Sequence, residues 1–487
     1  MKINISFSEF KKKHKRKKNQ IIFHKTSYKN NKVIENLIDK FLIEKNSFIF
    51  ESVEKRRIRG RYTIIGSNPD KIWEFNKNKI LLFHNNKKKI IKKKPYAYLK
   101  KIIEDFHFSL PSNLPSLSSL LVGYFSYDII RYIEKIPDNC LDDLKIPDVR
   151  LMRPRTLIIH DNVIKKIYYI NNCYADEKIN NYKKYYDDSI KNLENSKKIT
   201  FNFINKKKYI YSSKKKIKIK SNISKNEFKS NVIKAKKYIN NGDIFQVVLS
   251  QRFQTNLIKS PLEIYKKLRK TNPSPFMFFF NFSDFQIIGS SPEILVRLRN
   301  NKITIRPIAG TRPRGLNRKK DLFYKKQLLS DKKELSEHLM LLDLGRNDVG
   351  KVSKINTVKV TEKFKIEKYS HVMHIVSNVE GSFNKQHSLL DTMLAGFPAG
   401  TVTGAPKIRS MEIIDQLEKS KRKMYAGSIG YFSANKNFDT CITLRTALIK
   451  DNKFYIQSGA GIVADSVPEN EYLETVNKAK ALINSLN

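Results

Sequence analysis

From residue 225 onward the chain is punctuated so regularly by caps, turns and apolar runs that neither an all-helical nor an all-strand fold accommodates it. Span 225–240 has helical periodicity and runs into Asn241-Gly242, a pair suited to a carboxyl-terminal cap. Span 244–252 reads as a strand, and 261–270 as a helix that stops before Asn272-Pro-Ser-Pro275. Segments 276–282 and 285–288 form a hairpin pair, 333–345 and 409–417 read as helices, and 429–432, 441–449 and 454–458 as strands. Ser466 is expected to open the last helix, with Glu469 completing a capping box. Mixed elements of this kind point to a large α+β domain.

The first half is less regular. Segments 79–84 and 89–91 read as strands around Asn85-Asn86, 120–126 as an apolar strand, and 155–159 with 163–170 as a hairpin across Asp161-Asn162. Span 205–224 is nearly all Lys, Ile, Tyr and Ser, and divides the chain into 1–204, a basic linker 205–224, and 225–487. A hydrophobic fraction of 40%, with 29 Phe and 23 Tyr, rules out global disorder.

The net charge of +49 and the basic runs at 11–18, 87–94 and 206–220 would suit a nucleic-acid partner. However, the cations form no single stripe with interleaved aromatics, and Lys and Asn are raised everywhere, as codon bias in an A+T-rich genome would produce; no specific nucleic acid is expected. No stretch approaches the ~18 apolar residues of a membrane span, the amino terminus has no secretory pattern, and Cys140, Cys173 and Cys441 form no close pair. A cytoplasmic protein is therefore expected, with no membrane partner.

The chemistry-bearing residues cluster late in the chain. On helix 333–345, Leu335, Leu339 and Leu342 make an apolar stripe, and Glu334, Glu337 and His338 lie beside one another on the adjoining face. Glu471 and Glu474 repeat the spacing on the last helix. Two helices each presenting a carboxylate pair can build an oxygen-rich site of the kind Mg²⁺ prefers, though the spacing alone equally fits solvated acids. Gly459-Ala460-Gly461 reads as a turn that lets backbone approach an anion, and Gly400-Thr-Val-Thr-Gly-Ala-Pro-Lys407 as a second such loop that lacks P-loop spacing. Arg445, in an apolar strand, needs either an acid or an anionic ligand. His374 alternates away from Met373 and Ile375, and Glu293 follows Ser291-Pro292; each is a core or loop residue or an acid–base group.

Together the strings Gly242-Asp-Ile-Phe-Gln246, Ser290-Ser-Pro-Glu293, Arg306-Pro-Ile-Ala-Gly-Thr311, Glu337-His-Leu-Met-Leu-Leu-Asp-Leu-Gly-Arg-Asn-Asp348, Phe397-Pro-Ala-Gly-Thr-Val-Thr-Gly-Ala-Pro-Lys407 and Gly459-Ala-Gly461 resemble the chorismate-utilising enzymes over roughly residues 225–480. The first half matches more weakly, through Phe50-Glu-Ser52 and Gly60-Arg-Tyr-Thr-Ile-Ile-Gly66. The resemblance implies two antiparallel sheets packed as a sandwich, helices outside, and an active-site cleft. It implies Mg²⁺ on Glu337 and Glu474 with Glu334 and Glu471 in support. It implies chorismate held by Gly310, Thr311, Tyr425, Arg445 and Gly459-Ala460-Gly461, with Lys407 facing a substrate carboxylate.

Catalysis by the resemblance falls to Glu293, which protonates the departing ring hydroxyl, and to His374 in the pyruvate-losing stage. Relatives that add water carry a lysine where this chain has Gln246, and those that attach covalently carry one where it has Ala309. Their absence favours the branch that adds ammonia and forms anthranilate, the first step of tryptophan biosynthesis. The resemblance further implies a hetero-oligomer with a separate glutamine amidotransferase component. It also implies feedback inhibition by L-tryptophan at Ser52, Pro275, Phe276 and Met277, where the family commonly has Tyr in place of Phe276.

Overall fold

The computed structural model describes residues 1–29, 33–52, 60–85, 87–202, 218–369 and 372–486. The expected turn residue Asn86 and most of the basic linker, 205–217, lie outside the described residues.

Two long strands, Tyr62–Asn76 and Val149–Asp161, organise the molecule. They pair antiparallel along their length, with a register shift after Pro69, which stands opposite Pro154. Proline has no N–H to give the ladder, so the pair bends at this point and its two ends enter different layers.

In the first layer, Tyr62–Asn76 continues through Ser47–Glu51, Phe276–Asn281, Gln286–Ser291, Thr446–Lys450, Lys453–Ile462 and Gln246–Asn256. In the second, Val149–Asp161 continues through Leu120–Phe125, Ser428–Ser433, Phe438–Ile442, Ile294–Arg299, Lys302–Ile305 and Val372–Ser382. Val372–Ser382 also pairs with Ile308–Pro313 and Lys359–Lys368.

Side-chain alternation sets the layering. Phe48, Ile64, Phe278, Phe280 and Leu448 of the first layer meet Val122, Tyr124, Ile429, Tyr431 and Cys441 of the second in one core. Their neighbours point the other way: Ile49, Met277 and Phe279 pack beneath helices Pro261–Thr271 and Pro468–Ile483, with Tyr265, Leu268 and Leu482. On the far side Leu121, Val296, Leu298 and Phe432 pack beneath helices Pro95–Asp105, Lys332–Gly350 and Leu389–Ala395. The chain thus forms the α+β sandwich of two antiparallel sheets with helices outside.

The two halves of the sequence share both layers. Ser47–Glu51 pairs with Phe276–Asn281, and Leu120–Phe125 with Ser428–Ser433. Lys220–Ser221, inside the expected linker, joins the sheet against Phe253 and Gln254. Span 205–224 therefore does not separate two sheets. No helix among the described residues is long and apolar enough to cross a membrane.

Three local expectations change. The last helix starts at Pro468 with Val467 as its unbonded cap; Ser466 instead accepts from the Val463 N–H, and Glu469 pairs with Lys225 and Lys229. Proline at the first helical position, needing no N–H partner, sets the start where the capping box was expected. The expected strand 441–449 is two strands, Phe438–Ile442 and Thr446–Lys450, broken at Thr443–Arg445. In the 155–170 hairpin, Asp161 pairs with Lys166, so Val163 and Ile164 sit exposed in the turn.

Candidate active site

The Lys332–Gly350 helix is capped by Asp331, whose carboxylate accepts from the Lys333 and Glu334 N–H groups. Its orientation differs from the expected stripe. His338 is fully buried, its Nε2 2.7 Å from Ser377 Oγ, and Leu341 and Leu342 face the core while Leu339 is exposed. Sheet contact claims the face carrying His338, which leaves Glu334 and Glu337 on the wall of a cavity of about 900 Å³. Glu471 and Glu474 line the same cavity from the Pro468–Ile483 helix.

These acids are crowded. Burial raises the Glu337 pKa most; the Gln246 amide, donating at 3.0 Å, works against this, and the Glu334 and Glu474 charges add to it. Glu471 is likewise raised, first by burial and further by Glu474. Arg312 holds Glu334 at 2.7 Å and Lys478 holds Glu474 at 2.5 Å. Among the described residues no three His, Cys, Asp or Glu side chains converge enough to hold an ion alone. A purely carboxylate donor set lining one cavity, in which neighbouring charges add to the raised pKa of Glu337 and Glu471, nevertheless fits a hard divalent cation that takes its remaining ligands from an anionic substrate.

Gly310, Thr311 and His374 line the same cavity, beside Glu334. Gly310 adopts φ +69°, and a Cβ there would meet Glu334 Oε2 at 3.0 Å, so glycine serves both backbone and space. His374 Nδ1 lies 3.1 Å from the Gly310 carbonyl and 3.0 Å from Thr311 Oγ1. A carbonyl only accepts, so Nδ1 carries the proton and Nε2 is left as a base. Burial holds this imidazole below its ordinary pKa, which keeps it neutral.

Gly459 and Gly461 are not in a turn. They lie in strand Lys453–Ile462, opposite Ser250 and Val248. A Cβ on Gly459 would come within 2.6 Å of the Tyr425 hydroxyl, and one on Gly461 within 2.6 Å of Gln246 Nε2. The glycines clear room for those two side chains on the cavity face. Ala460 points to the opposite face, into a core with Val247 and Leu249.

Arg445 stands between strands with φ +48°, a left-handed conformation that is unfavourable for a residue other than glycine and concentrates at functional positions. Its guanidinium lines the cavity and makes no ion pair among the described residues. Burial depresses its pKa, while Tyr425, Glu474 and Glu293 act in the other direction. Glu293 is only 6% exposed and accepts from Thr401 Oγ1 at 3.1 Å. Burial outweighs that bond and the nearby Arg445, and pushes its pKa up to about 8, so the carboxyl is protonated at neutral pH.

Lys407 does not reach the cavity. Its ammonium is buried against Asp348 at 2.6 Å, joining the helix it begins, Lys407–Leu417, to the end of Lys332–Gly350. Thr401, Arg312 and Lys478, which address Glu293, Glu334 and Glu474, had no sequence signal beyond Thr401's place in the second glycine loop and Arg312's in the string that runs from Arg306 to Arg314.

A separate pocket of about 400 Å³ gathers Ser52, Pro275, Phe276 and Met277 with Tyr431 and Arg297. Pro292 and Ile308 line both cavities.

Residues 45–484 match the family model described as chorismate binding enzyme. The chain is 44% identical to anthranilate synthase component 1 of Cereibacter sphaeroides, over 98% of this chain and 96% of the relative. It is 42% identical to the protein of the same name from Aquifex aeolicus, over 91% and 90% of the two chains. The crystal structure of anthranilate synthase component I from Streptococcus pneumoniae superposes with a TM-score of 0.76 at 36% identity, covering 88% of this chain and 94% of that one. The menaquinone-specific isochorismate synthase of Escherichia coli shares the fold, with a TM-score of 0.71 at 17% identity.

Proposed function

The chain belongs to the chorismate binding enzyme family, and on that premise we propose that it is the aminating component of an anthranilate synthase, a lyase converting chorismate and ammonia to anthranilate, pyruvate and water. The observation that carries this reading is Glu293, a buried carboxyl kept protonated near neutral pH in a cavity that also holds four carboxylates, an unpaired Arg445 and no lysine at position 246 or 309.

Chorismate brings two carboxylates and a ring hydroxyl. Arg445 offers one carboxylate a cation without an ion-pair partner to displace. Glu337 and Glu474, with Glu334 and Glu471 beside them, would hold Mg²⁺, which when bound offsets the ring carboxylate's charge and draws electron density from the ring. Gln246 donates to Glu337, and its Oε1 is buried with no partner among the described residues. That acceptor suits an N–H of incoming ammonia, whereas an amide cannot deprotonate water as a lysine can. Ammonia adds at C2, Glu293 gives its proton to the C4 hydroxyl, and that hydroxyl leaves as water. His374 then accepts the C2 proton at Nε2; the C3–O bond breaks, the ring becomes aromatic, the departing enolate is protonated to pyruvate, and the proton shed by the added ammonium balances the one given by Glu293.

Ammonia comes from a separate chain, the glutamine amidotransferase component II, in a cytoplasmic hetero-oligomer. Residues 1–204 contribute Ser52 to the second pocket, which with Pro275, Phe276 and Met277 takes L-tryptophan as feedback inhibitor; Tyr431 and Phe276 offer ring contacts and Arg297 a cation for its carboxylate. Incubation with chorismate, Mg²⁺ and ammonium, followed by fluorescence and mass analysis, tests the reading. Anthranilate is the expected product; 4-amino-4-deoxychorismate as sole product would overturn it.

A further inference from the structure

Behind the wall that Val248, Thr401, Val402 and Tyr425 present to the larger cavity lies a buried guanidinium, Arg422, which does not line the cavity itself. Two pieces of that wall end in backbone carbonyls that regular structure does not use. Gln246–Asn256 pairs with Gly404–Ala405 only at Gln246 and Val247, so this ladder stops before the Val248 carbonyl. Val402 closes the single turn Gly400–Val402, and its carbonyl has no following turn to serve. Arg422 donates to both, from Nη2 to Val248 at 2.6 Å and from Nη1 to Val402 at 2.8 Å. Buried carbonyls need donors, and a planar fork of N–H groups reaches two at once where an ammonium would reach one.

The fork is itself seated. Glu418 accepts from Arg422 Nε at 2.9 Å and Nη2 at 2.6 Å, and the same carboxylate accepts from the Ser250 N–H and hydroxyl, each at 2.8 Å. Arg422 is thus tied to strand Gln246–Asn256 twice, directly at Val248 and through Glu418 at Ser250. Its own carbonyl accepts from the Tyr425 N–H at 3.0 Å, and its guanidinium lies 5.4 Å from the centroid of the Tyr425 ring.

Two groups of the site depend on these ties. Val402 follows Thr401, whose hydroxyl donates to Glu293. Tyr425 reaches the cavity beside Gly459. We propose that Arg422 is a positioning residue for the reaction: by holding the Val402 carbonyl it keeps the Thr401 hydroxyl on Glu293, and by holding Val248 and Tyr425 it fixes the wall against which the substrate lies. Its part in the reaction rests on the functional reading above, whereas the link from Arg422 to Glu293 rests on the contacts.

That link is read on the carboxyl itself, titrated by infrared difference spectroscopy with Glu293→Gln identifying its band. Burial raises this titration, while Thr401, Arg445 and the Ile308 N–H lower it. Loss of the Thr401 bond should therefore raise it further, in Thr401→Val by about one unit, the worth of one hydrogen bond to a charged group. Arg422→Lys, whose ammonium cannot span both carbonyls, is expected to move it the same way. The double variant should move no further than Thr401→Val alone, because both changes act through one contact. With chorismate and ammonium, kcat of Arg422→Lys should fall roughly 10-fold or more. Should that variant fail to fold, Glu418→Gln decides: it keeps an acceptor for Ser250, removes the charge that seats Arg422, and is expected to shift the titration upward too. A native-like Glu293 titration in the folded variant, or shifts that add in the double variant, overturns the proposal and leaves a buried ion pair that only packs. Titration shifts as expected, in a protein that makes no anthranilate, would overturn the functional reading and leave the link standing.

Discussion

The two cavities lie on either side of a wall containing Pro292 and Ile308, yet they carry opposite charge. In the larger, Glu334, Glu337, Glu471 and Glu474 outnumber Lys333, Arg445 and Lys478. In the smaller, Arg61, Arg297, Arg299 and Arg306 outnumber Glu51 and Asp439. Each holds one cation without an ion pair among the described residues. Arg299 is taken by Asp439 at 2.5 Å and Arg306 by Glu367 at 2.8 Å, which leaves Arg297, its pKa depressed first by burial. Arg445 has the same standing on the other side. The shared feature marks where a ligand carboxylate would go. The difference concerns what else is required: the acid-lined cavity needs a cation to accept an anion, and the arginine-lined pocket does not.

Breaking the acidic side should have the largest effect. Glu337→Gln keeps shape but removes a charge crowded by Glu334 and Glu474. Its kcat with saturating Mg²⁺ is expected to fall on the order of 10³-fold, equivalent to several kcal/mol of lost charge stabilisation. The fold should persist, because the substitution relieves repulsion; an unchanged kcat would separate this residue from the metal.

Glu293→Gln tests the acid itself, with an expected loss of about 10²-fold or more in kcat. The native enzyme has its proton-donating form below about pH 8 and loses it as pH rises through that value, so kcat should decline on the alkaline side. The Gln variant should lack that limb. The same raised pKa means the neutral carboxyl's contribution to stability is full below the ordinary Glu pKa and fades as pH rises through about 8. Thermal unfolding of the Gln variant should therefore show less alkaline loss than the native chain.

The smallest effect on turnover is expected across the wall. Arg297→Met should leave uninhibited kcat within about twofold, since the residue lines only the smaller pocket. It should raise the L-tryptophan concentration for half-inhibition by roughly tenfold, the worth of one charge-assisted contact. Equal loss of activity and inhibition would mean that the two cavities are not separable.

Much of the site was legible because it is local. A period of three to four residues puts Glu334 beside Glu337 and Glu471 beside Glu474, and strand alternation turns His374 away from Met373 and Ile375 into the cavity. The helix Lys225–Asn240 and its stop at Asn241-Gly242, with Gly242 at φ +81°, also follow from neighbours in the chain. Lys407 failed because its partner Asp348 lies 59 residues away, and an ammonium pairs with whichever acid packing brings near. Arg445 was misplaced because an apolar run reads as continuous strand, with nothing local to mark a left-handed break.

Residue order alone settled most of the second-half elements, the acid pairs and the absence of lysine at 246 and 309, since each depends on period or identity within a few positions. Packing settled the rest. Pro69 and Pro154 meet and bend one strand pair into two layers, glycines at 459 and 461 clear space for Tyr425 and Gln246, and burial turns Glu293 from a base into an acid. These outcomes require groups distant in sequence to exclude water from one another, and desolvation acts through neighbours in space rather than neighbours in the chain.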